Sequence, residues 1–472
     1  MILMIFMWLA IVLATIFMTS TMDEVYIPLT IEGLFLLAAI LLFSLRVNDD
    51  LEFEETANTN QDYKKYNLRG FKKKVKFKKN KNNAILYITL TQKSIVENKL
   101  NCFTVEKNLI KFVEEVSKNA ILGVIDKTTF ILYKKKASEV QLKEIYDNAI
   151  KDLDQKIKDI FCAGCYYGQD KLEIAIDKAN TTLYYAQKEN KRYLTYNEEI
   201  EKIENMLSHL ENHPESISEK LSVFFQPKVN ISTLKIESAE ALVRWVGKDG
   251  KVVLYPNQFI PRFERNGFIV NIDLFVFEKA CELLSQFKKE KRNVDISVNF
   301  SRYDLTTDGI IDKINSIASG YNFDRKNLHI EITESLCIED DELISENISK
   351  IKNSNFKIEM DDFGSGCATL LDFSKFEYDY VKIDRVFVQN ELNTKKEQVI
   401  LEKTLETFNS LKVPVIIEGV ETPDTIEKIR SMKKGKNILI QGFVFFKAIR
   451  EDEFVKAVIA DMPIENAVKP IK

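Results

Sequence analysis

The sequence predicts an α/β protein whose last domain is a (β/α)8 barrel, preceded by a smaller α/β unit and two N-terminal transmembrane helices. Three observations predict it. Eight short β-prone runs recur within about 240 residues, most of them separated by helix-like segments: "VFFQPKV", "ESAEALVRW", "VDISVNF", "LHIEITE", "FKIEMDD", "YVKID", "VPVIIEGVE" and "ILIQGFVF". That number in that length has the size and rhythm of such a barrel. A separate alternation of strand-like and helix-like runs extends from "NAILYITL" to "RYLTYNEE", about one ordinary domain. Finally, residues 1–47 are dominated by two apolar runs, each about long enough to cross a bilayer.

Those two runs, "MILMIFMWLAIVLATIFMTST" and "VYIPLTIEGLFLLAAILLFSLRV", are separated only by "MDE" and its neighbours, so they read as a tight helical hairpin. No Lys or Arg precedes the first, and no small-residue cleavage site follows it, which argues against a signal peptide. Arg46 and "RGFKKKVKFKKNKNN" follow the second. Cationic flanks stay on the cytoplasmic side, so the expectation is a multi-pass protein of the inner cell membrane with its remaining domains in the cytoplasm. Glu32 within the second run reads as a headgroup-level or helix-contact residue.

Residues 48–83 are polar and charge-rich and read as a basic linker, its lysines suited to anionic headgroups. Residues 84–198 form the middle α/β domain. A charged stretch, "EEIEKIENMLSHLENH", makes residues 199–220 a linker helix, and the barrel occupies 221–462. His209 and His213 have i, i+4 spacing but no nearby third ligand, so a solvated helix is the better reading.

Lys plus Arg (67) nearly balance Asp plus Glu (71). The balance argues neither for nor against a polyanionic ligand, which would have to be held locally or through metal; no DNA or RNA polymer is expected as a partner. Six scattered cysteines suggest no disulfide framework. Cys162 and Cys165 form a lone CxxC without a second pair, and read as buried thiols.

The chemistry lies in the barrel. Polar side chains fall in or at the ends of successive runs: Glu240, Asn299, Glu331, Asp361, Lys382, Glu418 and Gln441. The C-terminal rim of such a barrel carries the active site. An anionic ring of this kind is tolerable only around cations, and oxygen-rich ligation points to Mg²⁺ or Mn²⁺. Solvated loop charges would have no reason to recur strand after strand. In "KIEMDDFGSGC", Asp361 and Asp362 are adjacent, and neighbouring side chains of a strand point to opposite faces. Their carboxylates converge only if the strand ends between them and the turn swings the second one round. The first two runs are too close for an intervening helix, which suggests an antiparallel pair.

Glu240-Ala241-Leu242 within "ESAEALVRW" resembles the signature of the EAL-domain family of cyclic-di-GMP phosphodiesterases. The resemblance continues through "FFQPKV", "ISVNFS", "EITES", "DDFGSG", "VKIDRVFV", "EGVET" and "QGFVF" in the family's order. It implies a barrel enzyme that opens cyclic-di-GMP to linear pGpG with two Mg²⁺ or Mn²⁺ ions, in bacterial second-messenger signalling. By the same resemblance Glu240, Asn299, Glu331 and Asp361 hold the first ion, while Asp361 bridges to a second, helped by Asp362 and Glu418. Lys382 stands beside the hydrolytic water. Gln226, Leu242, Arg244 and Gln441 face substrate, Glu421 helps complete the site, and Glu334 props the loop after the fifth strand. That loop departs from the family at Cys367, Ala368 and Thr369, and Ala448 replaces a usual proline. A homodimer through both domains is also implied. The alternative is an EAL barrel that binds the nucleotide as a receptor without turnover.

The middle domain's "AIDKANTTLYYAQKENKRYLTYNEE" resembles the end of GGDEF domains, the diguanylate cyclase fold. Its signature turn, however, is replaced by Asp126-Lys127-Thr128-Thr129-Phe130. The two glycines and the acid pair are gone, which makes it a degenerate relative expected to form no cyclic-di-GMP.

Overall fold

The computed structural model describes residues 57–60, 62–75, 82–90, 102–333, 342–364, 373, 375–388, 390, 392–432 and 438–460. The chain divides into two compact units, Met1–Glu204 and Asn205–Lys472.

In the first unit, strands β1 (Thr59–Asn60), β2 (Lys65–Asn67), β3 (Asn83–Leu90), β4 (Ile121–Val124), β5 (Thr129–Tyr133), β6 (Phe161–Gly168) and β7 (Tyr193–Thr195) form one sheet in the order β1-β2-β4-β5-β3-β6-β7. Central β3 is antiparallel to β5 and β6. It buries both faces: Leu86 and Ile88 pack with Phe112 and Tyr146, whereas Ile85 and Tyr87 pack with Ala179 and Leu183. Alternate side chains of a strand serve opposite layers, so helices cover both sides.

Part of the expected linker belongs to this unit. Asn67 caps the helix Leu68–Lys74 by accepting a hydrogen bond from the Gly70 N–H at 2.9 Å. Phe71 is fully buried among Ile131 and Tyr133, and β2 pairs in parallel with β4. Phe71 and Val75, with Tyr66 and Leu68 packed against the same cluster, dock an otherwise basic segment.

The expected multi-pass membrane placement is corrected. Among the described residues no helix is long and apolar enough to cross a membrane. The 21-residue helix Ile269–Lys289 illustrates why: it buries Ile272, Val276 and Phe277 but also carries Glu278, Lys279, Glu282, Lys288 and Lys289. Such a helix is built to cover a core with one side only. The two apolar runs of residues 1–47 lie outside the described residues.

In the second unit, β8 (Leu221–Asn230), β9 (Ile236–Val246), β11 (Asp295–Asn299), β12 (Leu328–Thr333), β13 (Lys357–Phe363), β14 (Tyr380–Ile383), β15 (Val415–Glu418) and β16 (Ile438–Gln441) close into an eight-stranded barrel. Short strands β10 (Val252–Leu254) and β17 (Ile449–Arg450) extend β9 and β8. Each of the eight β-prone runs supplies one barrel strand. Strand β8 is antiparallel to both neighbours, β9 and β16, and the other neighbouring pairs are parallel. The antiparallel first pair follows from the short β8–β9 connection, since parallel neighbours require a long crossover.

Candidate active site

The polar strand ends converge on one ammonium group. Lys382, on β14 and 1% exposed, places Nζ 2.6 Å from Glu331 Oε2, 2.8 Å from Asp361 Oδ1, 2.8 Å from Glu418 Oε1 and 3.4 Å from Glu240 Oε2. These acids come from β12, β13, β15 and β9. Burial alone would lower the Lys382 pKa, but Asp361, Glu240, Glu331 and Glu418 outweigh it and raise the value well above the ordinary lysine range. Four carboxylate neighbours favour the ammonium form, a hydrogen-bond donor.

Amides complete the inner ring. Asn299, at the end of β11, donates from Nδ2 to Glu240 Oε1 at 2.7 Å, and Gln441, at the end of β16, donates from Nε2 to Glu240 Oε2 at 2.6 Å. Gln441 Nε2 also lies 3.2 Å from Gln226 Oε1 on β8, which is opposite Glu240 in the β8–β9 register. Gln441 Oε1 is buried without a hydrogen-bond partner among the described residues. An acceptor left in this state is poised for a ligand's donor.

Asp361 and Asp362 differ from the sequence expectation in one respect: the strand does not end between them. Strand β13 continues to Phe363, and its register with β14 shifts between Met360 and Phe363. Asp362 occupies the left-handed region at φ 59°. One extra residue at such a bulge breaks the strict alternation of faces, so neighbouring carboxylates can share a side. The conformation is uncommon for a non-glycine residue and is strained. Asp361, Asp362 and Glu418 each offer an oxygen within 4.8 Å of the others. Burial pushes all three carboxyls above the ordinary range.

This donor set fits a divalent cation. The atoms are carboxylate oxygens from Asp361, Asp362 and Glu418, and such ligands suit a hard divalent ion. Glu331 shifts the other way: burial would raise its pKa, but Lys228 and Lys382 together hold it well below the usual carboxylate range.

Other expected residues lie further out. Leu242 and Arg244 follow Glu240 on β9 at two-residue intervals, both half-buried. The Arg244 guanidinium donates to the Val243 carbonyl at 2.8 Å and lies over the Phe224 ring. Glu421 is exposed, beyond the end of β15. Glu334 and the departures at Cys367, Ala368 and Thr369 lie outside the described residues.

A second charged layer under the ring escaped the sequence reading. Lys228, Ser297, His329 and Glu359 are all buried, and Lys228 Nζ contacts Glu331 Oε1 at 2.8 Å. The available signal was period two: His329 precedes Glu331 by two residues, and Glu359 precedes Asp361 by two.

In the first unit, the turn between β4 and β5 is closed by Asp126, whose Oδ1 accepts from the Thr128 N–H at 2.8 Å and the Thr128 hydroxyl at 3.1 Å. The Lys127 carbonyl accepts from the Tyr63 hydroxyl at 2.8 Å. Cys162 and Cys165 are buried on β6, where burial pushes both thiols up to about 12.

Residues 211–448 match the model of the EAL domain. The chain is 29% identical over 248 residues to the oxygen sensor protein DosP of Escherichia coli, covering 52% of this chain and 30% of that protein. It is 29% identical over 230 residues to the cyclic di-GMP phosphodiesterase PdeR of the same organism, covering 49% and 34% respectively. The signaling protein YkoW of Bacillus subtilis is 27% identical over 301 residues, 62% of this chain and 36% of that protein. The match thus spans about a third of the length of these curated relatives. Among solved structures, the Vibrio cholerae LapD S helix-GGDEF-EAL segment, bound to c-di-GMP, shares the fold with a TM-score of 0.57 at 16% identity, covering 85% of this chain and 99% of that one.

Proposed function

The chain belongs to the EAL domain family, and from that premise we propose that it hydrolyses cyclic-di-GMP to linear pGpG at the C-terminal rim of its barrel. The observation that carries this reading is the enclosure of Lys382 by Glu240, Glu331, Asp361 and Glu418, with Asp362 brought alongside by a strained bulge. Relatives named as cyclic di-GMP phosphodiesterases support it.

Glu240, Asn299, Glu331 and Asp361 would hold one divalent ion, and Asp361, Asp362 and Glu418 a second. Bound there, such ions supply Lewis acidity that activates water and offsets phosphate charge. The chain's own residues do the positioning. Lys382, kept protonated, donates hydrogen bonds to oxygen atoms at the centre of the ring and balances charge as phosphate enters. Arg244 meets a phosphate from the rim, and its planar guanidinium suits two oxygens at once. Gln226 and Gln441 orient the nucleotide through their amides.

Incubating the chain with cyclic-di-GMP and Mn²⁺, and following pGpG by chromatography, tests the reading. Binding without product would replace it with the receptor reading.

The first unit completes the proposal as a degenerate GGDEF-like domain with a regulatory role. Support comes from the LapD likeness, which extends over 85% of the chain, and from the "AIDKANTTLYYAQKENKRYLTYNEE" resemblance. At its signature turn Asp126 is occupied in closing the turn, and Lys127 and Thr128 replace metal-binding acids. GTP with Mg²⁺ is expected to yield no cyclic dinucleotide; any such product would refute this part. A homodimer through both domains stays part of the proposal on the family resemblance alone, and sedimentation velocity tests it.

A further inference from the structure

The interior of a (β/α)8 barrel is ordinarily filled by branched apolar side chains. Here the layer beneath the acid ring is charged. Lys228 Nζ, with no solvent exposure, donates to Ser297 Oγ at 2.7 Å, Glu331 Oε1 at 2.8 Å and Glu359 Oε2 at 2.7 Å. An ammonium has three N–H groups, so these three acceptors from β11, β12 and β13 use them all. The other Glu359 oxygen engages His329 Nδ1, and His329 Nε2 lies 3.1 Å from Asp295 Oδ2 at the start of β11. The His329 ring stacks on Tyr380 with centroids 5.0 Å apart. A chain of close contacts therefore runs from Asp295, at the N-terminal end of the strands, to Glu331.

Burying charges costs several kcal/mol per ion, and a packed apolar layer often serves stability as well or better. The geometry shows what this layer does for the ring above it. Glu331 is gripped at both oxygens: Lys228 takes Oε1 from below, and Lys382 takes Oε2 from within the ring. With Oε1 tied to a three-point anchor, the carboxylate plane cannot turn, and Oε2 keeps its aim at the centre of the cluster. Glu240 differs: neutral amides of Asn299 and Gln441 hold its two oxygens at 2.7 and 2.6 Å, with Lys382 further off at 3.4 Å.

We propose that Lys228 is a positioning residue for divalent-metal binding at the barrel rim, fixing Glu331 through Oε1, with Glu359, His329 and Asp295 fixing Lys228 in turn. This inference rests on the metal reading of the ring given above. Without Lys228, Glu331 pivots toward Lys382 and leaves its place as a ligand. Removing a supporting partner of a ligand typically weakens metal affinity by about 10–100-fold.

The test is calorimetric titration of the full chain with Mn²⁺ alone, alongside kcat and KM for cyclic-di-GMP. Lys228→Met is expected to weaken Mn²⁺ binding at least about tenfold and to lower kcat at fixed Mn²⁺, with excess Mn²⁺ restoring much of the rate and the nucleotide KM little changed. Because that substitution strands Glu359, the double variant Lys228→Met with Glu359→Leu keeps the interior without an unpaired charge, and the same affinity loss is expected. Ser297→Ala, which removes one leg of the anchor and no charge, should shift affinity in the same direction by less. Wild-type Mn²⁺ affinity in the folded double variant, or in Ser297→Ala if neither lysine variant folds, overturns the proposal. Tighter binding does too, since it would show Lys228 acting only as a repelling charge. A wild-type chain that binds no Mn²⁺ defeats the metal reading together with this inference, whereas binding unaffected by the substitutions defeats this inference alone.

Discussion

Lys382 Nζ and Glu331 Oε2 stand 2.6 Å apart, with both side chains closed to solvent. They sit on β14 and β12, on either side of β13, so the contact reaches across one intervening strand. The pair is the hinge between the acid ring, which Lys382 centres, and the charged layer below, which Lys228 joins to the other oxygen of Glu331.

Lys382→Met removes the one cation shared by four carboxylates. Breaking a buried ion pair by deleting one partner costs about 3–5 kcal/mol, so the metal-free variant should melt well below the wild type. Mn²⁺ should then raise its melting temperature by more than it raises the wild type's, because the ion replaces the missing charge, while hydrolysis stays depressed. A metal-free melting temperature equal to the wild type's, with normal turnover, would sink the assigned role.

Glu240→Ala strips the acceptor from Asn299 and Gln441 and one oxygen pair from the ring. Water cannot replace a charged ligand held from two sides. Hydrolysis of cyclic-di-GMP is expected to fall beyond the roughly 10–100-fold typical of a supporting residue, as read from initial rates of pGpG formation. Retention of more than about a tenth of the rate would exclude Glu240 from the ligand set.

Gly442 follows Gln441, and a Cβ there would come within 2.0 Å of the Val420 carbonyl oxygen and 2.6 Å of its nitrogen. Backbone cannot step aside as a flexible side chain can. Gly442→Ala should cost about 1–3 kcal/mol or more, seen as a lower denaturation midpoint. It should also slow turnover by separating the ends of β15 and β16, which carry Glu418 and Gln441 in register. An unchanged midpoint would mean that the two loops have room the structure does not show.

Asp273, on the helix Ile269–Lys289, and Asp304, on the short helix Arg302–Thr306, are buried against each other. Burial first, then the Asp304 charge and hydrogen bond, lift the Asp273 carboxyl well above its ordinary range. A raised folded-state pKa means the folded state holds the proton more tightly than the unfolded one. The associated stability is fully present below the ordinary carboxylate pKa of about 3.9 and is lost as pH rises through the folded value. Asp273→Asn has no proton to lose. It should therefore be more stable than the wild type at pH 8, with the gap narrowing toward pH 5, in thermal melts across that range. A gap independent of pH would show that the pair does not titrate as described.

Much of the barrel was legible in the sequence because its information is local. Strand identity depends on short β-prone runs, and each of the eight became a barrel strand. The antiparallel start depends on a loop too short for a crossover. Glu240, Asn299, Glu331, Asp361, Lys382, Glu418 and Gln441 were recoverable because strand ends in this architecture face one rim, so position along a strand stands in for position in space. Basic residues 57–75 were not legible as part of a fold. Their few apolar anchors acquire meaning only against a sheet edge supplied by β4.

What the sequence by itself determined is which side chains share a face and an end. What only the tertiary structure decided is which of them meet. Asp361 and Asp362 converge through a left-handed residue inside a strand, a backbone state that neighbouring letters do not announce. Lys228 finds Ser297, Glu331 and Glu359 at sequence separations of 69, 103 and 131 residues. A lysine in an apolar run reads as a surface residue because an unpaired buried charge is prohibitively costly. It becomes an interior one only when the closed barrel brings three acceptors within 2.8 Å of its nitrogen.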